Sequence, residues 1–315
     1  MNWTDKREKL AAMYEGLLEE MVLLKNFTSF KIGGPARLFA TVNRAEAAAQ
    51  LIVAANQLKI PYLVVGGGTN LLVSDDGFDG LAILLNMTDV TFDLETHAVT
   101  AGASLAVSDL VTRVISKHLA GMEFAAGLPG TVGGAVAGNA GCFGSSFGEI
   151  LSSAHVLMSS GELRQVDASF FQFTYRKTTV AEQKALVLGA TFGLAEGNPV
   201  QLEEIASSNL ELRRTRHPAR DVCTAGSYFK NLPPLRKGEH RRAAGALLEQ
   251  VGAREMSVGD AAVFEKHANI LVNRGNATAR DMLMLQAKLQ ARVWERFGVM
   301  LEPEVRFVGR RPTLD

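Results

Sequence analysis

The sequence predicts an α+β protein of two or three domains. Three observations point there. Short apolar runs alternate with an alanine-rich helical segment in the first third. Strand-like pieces flank a dense run of glycines in the middle. The last third turns to longer helical periods with clear start and stop signals. A chain of 315 residues is also longer than a usual single domain.

The elements follow in chain order. The first twenty residues read as an amphipathic helix. Residues 39–42 read as a short strand. Asn43 and Glu46 then form a capping-box pair at the head of an alanine-rich helix that runs to about Leu58. Residues 61–65 are a buried strand closed by Gly66, Gly67 and Gly68. Residues 71–73 and 81–85 are two more strands, with the turn Asp75-Asp76-Gly77 between them. The middle segment opens with a strand at 98–101. Ser104 leads a helix whose Leu105, Leu110, Val111, Val114, Ile115 and Leu119 share one face. Strand-like pieces lie around 155–158, 163–166 and 186–190. Residues 202–216 are helical and end in Arg213, Arg214 and Arg216. His217-Pro218 stops them, because the residue before proline is pushed out of the helical region. Residues 242–251 form a second helix, stopped by Gly252. Thr278 and Asp281 cap a third that ends at Phe297-Gly298, and 304–308 read as a last strand.

Composition narrows the function. Acids and bases balance at 33 each, so there is no global basic excess for nucleic acid or an anionic membrane. The two cysteines, Cys142 and Cys223, lie far apart without CxxC spacing, which points to a reducing compartment rather than a disulfide framework. The six histidines form no ligand pair, and no metal site is expected. No apolar run approaches 18 residues, and the first twenty lack the core of a signal peptide. The expectation is a cytoplasmic protein acting on small molecules, with no obligate protein partner.

Five motifs carry candidate chemistry. Gly66, Gly67, Gly68, Thr69 and Asn70 follow a buried strand, where bare backbone amides can approach an anion such as pyrophosphate; a tight strand-to-strand turn is the plainer reading. No helix opens after them, so this is not the dinucleotide fingerprint. The stretch from Gly127 to Gly141 includes Pro129, Gly130, Thr131, Gly133, Gly134, Ala135, Asn139 and Ala140. So many small residues suit close packing of backbone on a large flat ligand, and Leu128, Val132 and Val136 are too apolar for a surface loop. Arg176, beside Tyr175, suits bidentate capture of a carboxylate, although such pairs are usually surface pairs. In Ala225-Gly226-Ser227-Tyr228-Phe229-Lys230-Asn231 the flanks do not match a nucleophile elbow. Ser227 is therefore no indicated nucleophile, while a proton-donating hydroxyl stays open beside the plainer turn serine. Glu302 and Glu304 flank Pro303, a spacing that alone says little.

The order of these motifs is more specific than any one. Asn26 to Gly34 (NFTSFKIGG), GGGTNLLVSDDGFDG from Gly66, AGLPGTVGGAVAGNAG from Ala126, Tyr175-Arg176, AGSYFKN, HANILVN from His267 and LEPEVRFVG from Leu301 resemble the UDP-N-acetylenolpyruvoylglucosamine reductase family over residues 23–309. The resemblance implies a two-domain FAD-binding fold of the vanillyl-alcohol-oxidase (PCMH) type, plus a third α+β substrate-binding domain. It divides the chain into 1–85 with 301–315, 86–215, and 216–300. It implies non-covalent FAD held by Gly66–Asn70 and the Gly127–Gly141 stretch, NADPH as reductant, and a UDP-sugar substrate of peptidoglycan precursor synthesis. Arg176, Ser227 and Glu304 match the family's catalytic positions. Asn231, with Lys230, would meet the UDP phosphates. His217-Pro218 departs from the Gln-Pro of many relatives, and the short 186–204 region implies the compact form without an extra lid loop. The alternatives are another FAD-dependent oxidase of this fold, or a non-catalytic FAD- or nucleotide-binding module.

Overall fold

The computed structural model describes residues 2–219, 221–236 and 238–313. The fold is α+β, as the sequence predicts, and the chain forms two compact units. The first comprises residues 2–21, Arg37–Gly67 and Gly80–Arg213. The second comprises Val22–Ala36, Gly68–Asp79 and residues 214–313.

The first unit has two sheets, each with its own core. A four-stranded sheet runs in the order Glu19–Leu23, Pro35–Val42, Phe78–Leu85, Tyr62–Val65, the last two strands being parallel. Helix Ala45–Gln57 covers it, burying Leu51, Ile52, Ala54 and Ala55 against Leu38, Leu81 and Ile83. A five-stranded antiparallel sheet has the order Leu163–Asp167, Leu151–Met158, Ala185–Gly193, Ala98–Gly102, Val90–Asp93. Helix Val107–Ser116 packs on it through Val107, Leu110, Val111 and Val114, the last three lying on the apolar face read from the sequence.

The second unit is built on a four-stranded antiparallel sheet, Cys223–Ser227, His267–Asn273, Ala261–Phe264, Ser257–Val258. Helix Ala279–Phe297 seats Met282, Leu285, Leu289 and Val293 in a core that includes Tyr228, Phe229 and Leu271. Its start is held twice. Thr278 Oγ1 accepts from the Asp281 N–H at 3.0 Å while Asp281 Oδ2 accepts from the Thr278 N–H, the capping box read from the sequence. In addition, the Asp75 carboxylate accepts from the N–H groups of Ala279 (2.8 Å) and Arg280 (3.2 Å). Leu71–Val73 pairs in parallel with Arg306–Val308.

Several expectations shift. The alanine-rich helix begins at Ala45 behind Arg44, with no side-chain cap; the Asn43 carboxamide instead accepts from Asn86 Nδ2 at 3.2 Å. The next helix starts at Val107, because Ser104 N–H is taken by Met87 O and Leu105 N–H by Gly102 O. The N-terminal helix is Trp3–Met13 and buries only Leu10, so it is barely amphipathic. The last strand begins at Arg306 rather than 304, since Glu304 N–H bonds to Tyr228 O.

Candidate active site

Within the first unit, the two glycine-rich segments meet. A Cβ on Gly67 would stand 3.1 Å from Gly130 Cα, and one on Gly66 would stand 2.9 Å from Thr131 Oγ1. Gly66, Gly67, Pro129 and Gly134 are exposed, and Gly127, Gly130, Thr131 and Ala140 half-buried. Gly133, Ala135, Asn139 and Gly141 are buried. The buried glycines have a packing reason: a Cβ on Gly133 would sit 2.7 Å from Ala103 Cβ, and one on Gly141 would sit 2.3 Å from Ser145 O. Exposed Gly66 and Gly67 abut Thr131 and Gly130, while a Cβ on exposed Gly134 would meet nothing nearer than Thr131 Oγ1 at 3.5 Å. Thr131 stands at the N-cap of helix Val132–Ala137, yet its side chain caps nothing, and Oγ1 is buried without a hydrogen-bond partner. An orphaned buried hydroxyl is a rare and costly arrangement. A bare-backbone cradle beside it suits the phosphate oxygens of a dinucleotide cofactor.

Arg176 is fixed to this same segment. It sits at φ +53 in a tight turn in which the Thr174 and Lys177 main chains bond to each other. Its guanidinium donates to Asn139 O at 3.3 Å and to Gly141 O. Asn139 holds the turn from the other side. Its Nδ2 donates to Thr174 O at 2.9 Å, and its Oδ1 accepts from Gly148 N–H at 3.0 Å. Next to it, burial pushes the Cys142 thiol up despite the neighbouring Arg213 and Arg176 guanidinium groups. Cys142 Sγ–H donates to Phe124 O at 2.8 Å.

The Gly66–Asn70 loop passes into the second unit at Gly68. Gly68 has φ +62, and a Cβ there would lie 1.8 Å from Phe27 O, so no other residue fits. Asn70 Nδ2 donates to Glu304 O at 3.1 Å, and Arg306 N–H donates to Asn70 O at 3.0 Å. Half-buried Thr69 lies between them in sequence.

The main chains of Tyr228–Lys230 and Glu302–Glu304 also pair: Glu304 N–H donates to Tyr228 O (2.8 Å) and Lys230 N–H to Glu302 O (2.9 Å). Glu304 is thereby held opposite Tyr228, one residue from Ser227 in sequence. Ser227 ends a strand beside a bulge, where Gly226 at φ +75 breaks the register after Thr224; Ser227 then faces Ile270. It lines a cavity of about 410 Å³ with Asn231, Gly245, Lys266, His267 and Asn269. Asn231 Oδ1 accepts from Ala244 N–H at 3.2 Å, at the head of helix Ala244–Gln250. Lys230 does not line this cavity; its ammonium pairs with Glu302 Oε1 at 2.5 Å. Sequence reasoning missed His267, Asn269 and Gly245. Only the HANILVN segment flagged the first two, and it carried no role.

The comparisons with known proteins agree over most of the chain. Residues 36–167 match the model of an FAD binding domain. Residues 217–308 match that of the C-terminal domain of UDP-N-acetylenolpyruvoylglucosamine reductase. A UDP-N-acetylenolpyruvoylglucosamine reductase of Latilactobacillus sakei is 38% identical over 288 residues, covering 91% of this chain and 92% of its own. The chain belongs to the UDP-N-acetylenolpyruvoylglucosamine reductase family. A reductase of the same description from Gloeobacter violaceus is 38% identical over 295 residues, covering 93% of this chain and 97% of its own. The crystal structure of the UDP-N-acetylenolpyruvylglucosamine reductase from Thermus caldophilus superposes with a TM-score of 0.77 at 30% identity, over 93% of this chain and all of that one. The family and the matched domain make the protein an FAD-dependent oxidoreductase. The Gly66–Gly67 and Gly130–Thr131 cradle fits that cofactor. Among the described residues, no group of three or more His, Cys, Asp or Glu could hold a metal ion. No helix among them is long and apolar enough to cross a membrane.

Proposed function

We propose that the protein reduces UDP-N-acetylglucosamine enolpyruvate to UDP-N-acetylmuramate with NADPH, a step of peptidoglycan precursor synthesis in the cytoplasm. The observation that carries this reading is Ser227. It is a hydroxyl at a glycine-made bulge, opening into a cavity shared with Asn231, in a chain that also carries an FAD-binding domain.

Bound FAD, reduced by NADPH, supplies the hydride for the terminal carbon of the enol ether. The residues of this chain do the rest. Gly66, Gly67, Gly68, Thr69 and Asn70, with the Gly127–Gly141 stretch, cradle the cofactor. Charge then develops on the substrate carboxylate, and a preorganised cation is most effective where charge appears. Arg176 is that cation, and its anchoring to Asn139 O and Gly141 O fixes its position before substrate arrives. Ser227 gives its proton to the adjacent carbon. A hydroxyl is a weak acid, but a carbanion is basic enough to take its proton, and a positioned donor contributes about 10²–10⁴-fold. Glu304, in its protonated form or with Arg176 as partner, helps polarise or orient the carboxylate, and its main chain is held by bonds to Tyr228 and Asn70. Asn231 and Lys230 meet the UDP phosphates, Lys230 exchanging its Glu302 partner for phosphate. The separate cores beneath the two sheets of the first unit support two cofactor-binding subdomains, with 216–300 as the substrate domain.

The test is oxidation of NADPH by the purified yellow protein with and without the enolpyruvyl sugar nucleotide. Oxidation that depends on the sugar nucleotide and consumes one NADPH per product supports the proposal. Rapid reaction with oxygen and indifference to the sugar nucleotide would instead mark an oxidase. Absence of both reactions would mark a binding module.

A further inference from the structure

We propose that Asn269 is a positioning residue for the reaction: its side-chain amide clamps the main chain of Phe229 and so sets where Ser227 stands relative to Glu304. This rests on the function proposed above.

Asn269 lies in the strand His267–Asn273 and is only 3% exposed. Its carboxamide engages both polar groups of one residue. Oδ1 accepts from the Phe229 N–H at 2.9 Å, and Nδ2 donates to Phe229 O at 2.8 Å. A carboxamide offers an acceptor and a donor side by side, as a peptide group does, so it can take the place of a neighbouring strand.

The ladder shows why a substitute is needed there. Ser227 stands opposite Ile270, so a continued antiparallel ladder would set Tyr228 opposite Asn269 and have them exchange two bonds. Only one forms, from the Tyr228 N–H to Asn269 O at 2.8 Å. The Asn269 N–H goes instead to His267 Nδ1 at 3.2 Å, and Tyr228 O turns away to accept from the Glu304 N–H at 2.8 Å. The two chains part at this point, and the Asn269 side chain spans the gap. On its other side Phe229 pairs with Pro303. The segment that follows Ser227 is thus held between Asn269 and the segment that carries Glu304, and the two proposed catalytic side chains are tied together through Tyr228 and Phe229.

The charged and titratable groups near this corner lie outside the clamp. His267 has its proton affinity pushed down by burial and by the Arg216 guanidinium, with Glu249 opposing them. Lys266 lines the cavity, and Lys230 pairs with Glu302.

Three measurements on the holoenzyme separate positioning from folding: bleaching of the flavin by NADPH, the dissociation constant of UDP, and re-oxidation of the reduced flavin by the enolpyruvyl sugar nucleotide. Asn269→Leu keeps the approximate shape and removes both bonds. Re-oxidation should slow by about 10–100-fold, since a displacement of about 1 Å can cost that much. Bleaching should stay within about two-fold. UDP affinity should change far less than re-oxidation does, because Asn231 keeps its own anchor at the Ala244 N–H. Asn269→Asp keeps the acceptor for the Phe229 N–H. Ionised, it repels Phe229 O; protonated, its hydroxyl donates there. Burial raises its pKa above the ordinary carboxyl value of about 3.9. Its re-oxidation rate, divided by that of the wild type at each pH, should therefore rise toward one as pH falls from about 8 to about 5.5. The division cancels titration of His267, Glu249, Glu304 and the other neighbours. Equal slowing of bleaching and re-oxidation in either variant would make Asn269 a residue of the fold alone and overturn the inference. A ratio that stays flat or falls with pH overturns it too, and this arm stands even if Asn269→Leu does not fold. If the wild-type enzyme itself fails to be re-oxidised by the sugar nucleotide, the functional proposal falls first and the inference with it.

Discussion

Thr131 offers a substitution whose two effects have opposite signs. Its Oγ1 is buried without a partner and lies 2.9 Å from where a Cβ on Gly66 would stand, and 3.5 Å from the same point on Gly134. A buried hydroxyl left unsatisfied costs about 1–3 kcal/mol. Valine keeps the branched shape and suits the extended backbone there, at φ −111 and ψ 158. Thr131→Val should therefore stabilise the FAD-free protein by about 1–2 kcal/mol, raising Tm by roughly 1.5–3 °C for a chain of this size. The same change removes the hydroxyl proposed to meet the cofactor phosphates. Losing a hydrogen bond to a charged group, about 1.5–3 kcal/mol, weakens FAD by about 10–150-fold. Thermal unfolding of the FAD-free protein and fluorescence titration with FAD measure the two effects separately. A lower Tm with unchanged FAD affinity would refute the reasoning, since Thr131 would then be an ordinary packing residue.

Asn139→Ala removes both side-chain bonds, to Thr174 O and from Gly148 N–H, at a position with φ +45. It should cost about 2–4 kcal/mol in unfolding free energy and lower kcat through Arg176, while Asn139→Gly keeps the backbone angle and loses only the bonds. Thr278→Ala removes one arm of the capping box and should cost about 1 kcal/mol in denaturant unfolding, the Asp75 carboxylate still holding the Ala279 and Arg280 amides. The lowered proton affinity of His267 means that the unfolded chain binds its proton more readily than the folded one. Its contribution to stability is thus complete above the ordinary histidine pKa of about 6.5 and declines as pH falls below it, a slope that His267→Gln should remove in melts taken from pH 7 to 5.

Local signals were legible in the sequence, and long-range ones were not. The helix Ala279–Phe297 was read to the residue because Thr278, Asp281 and Gly298 act within one turn of its ends. Asn43 misled for the opposite reason: its cap chemistry is real, but Asn86, 43 residues away, takes it. The strand Cys223–Ser227 escaped notice because it is short and polar and breaks at Gly226; the strand Val90–Asp93 is shorter still and half exposed. At the site, the glycine segments were recognisable as such. Nothing local says that Gly67 meets Gly130, that Arg176 is fixed by carbonyls 35 and 37 residues earlier, or that Lys230 finds Glu302 across 72 residues. His267 was hidden more completely, since a histidine opening an apolar strand reads as a satisfied core residue until the cavity beside it is seen.

Ser227→Ala, followed in two separate half-reactions by stopped-flow absorbance of the flavin, tests the central claim most directly. Bleaching of the flavin by NADPH should proceed at the wild-type rate. Recovery of the yellow colour on adding the enolpyruvyl sugar nucleotide should slow by about 10²–10⁴-fold, the contribution of a positioned proton donor. Equal slowing of both half-reactions, or wild-type recovery with the sugar nucleotide, would contradict the account.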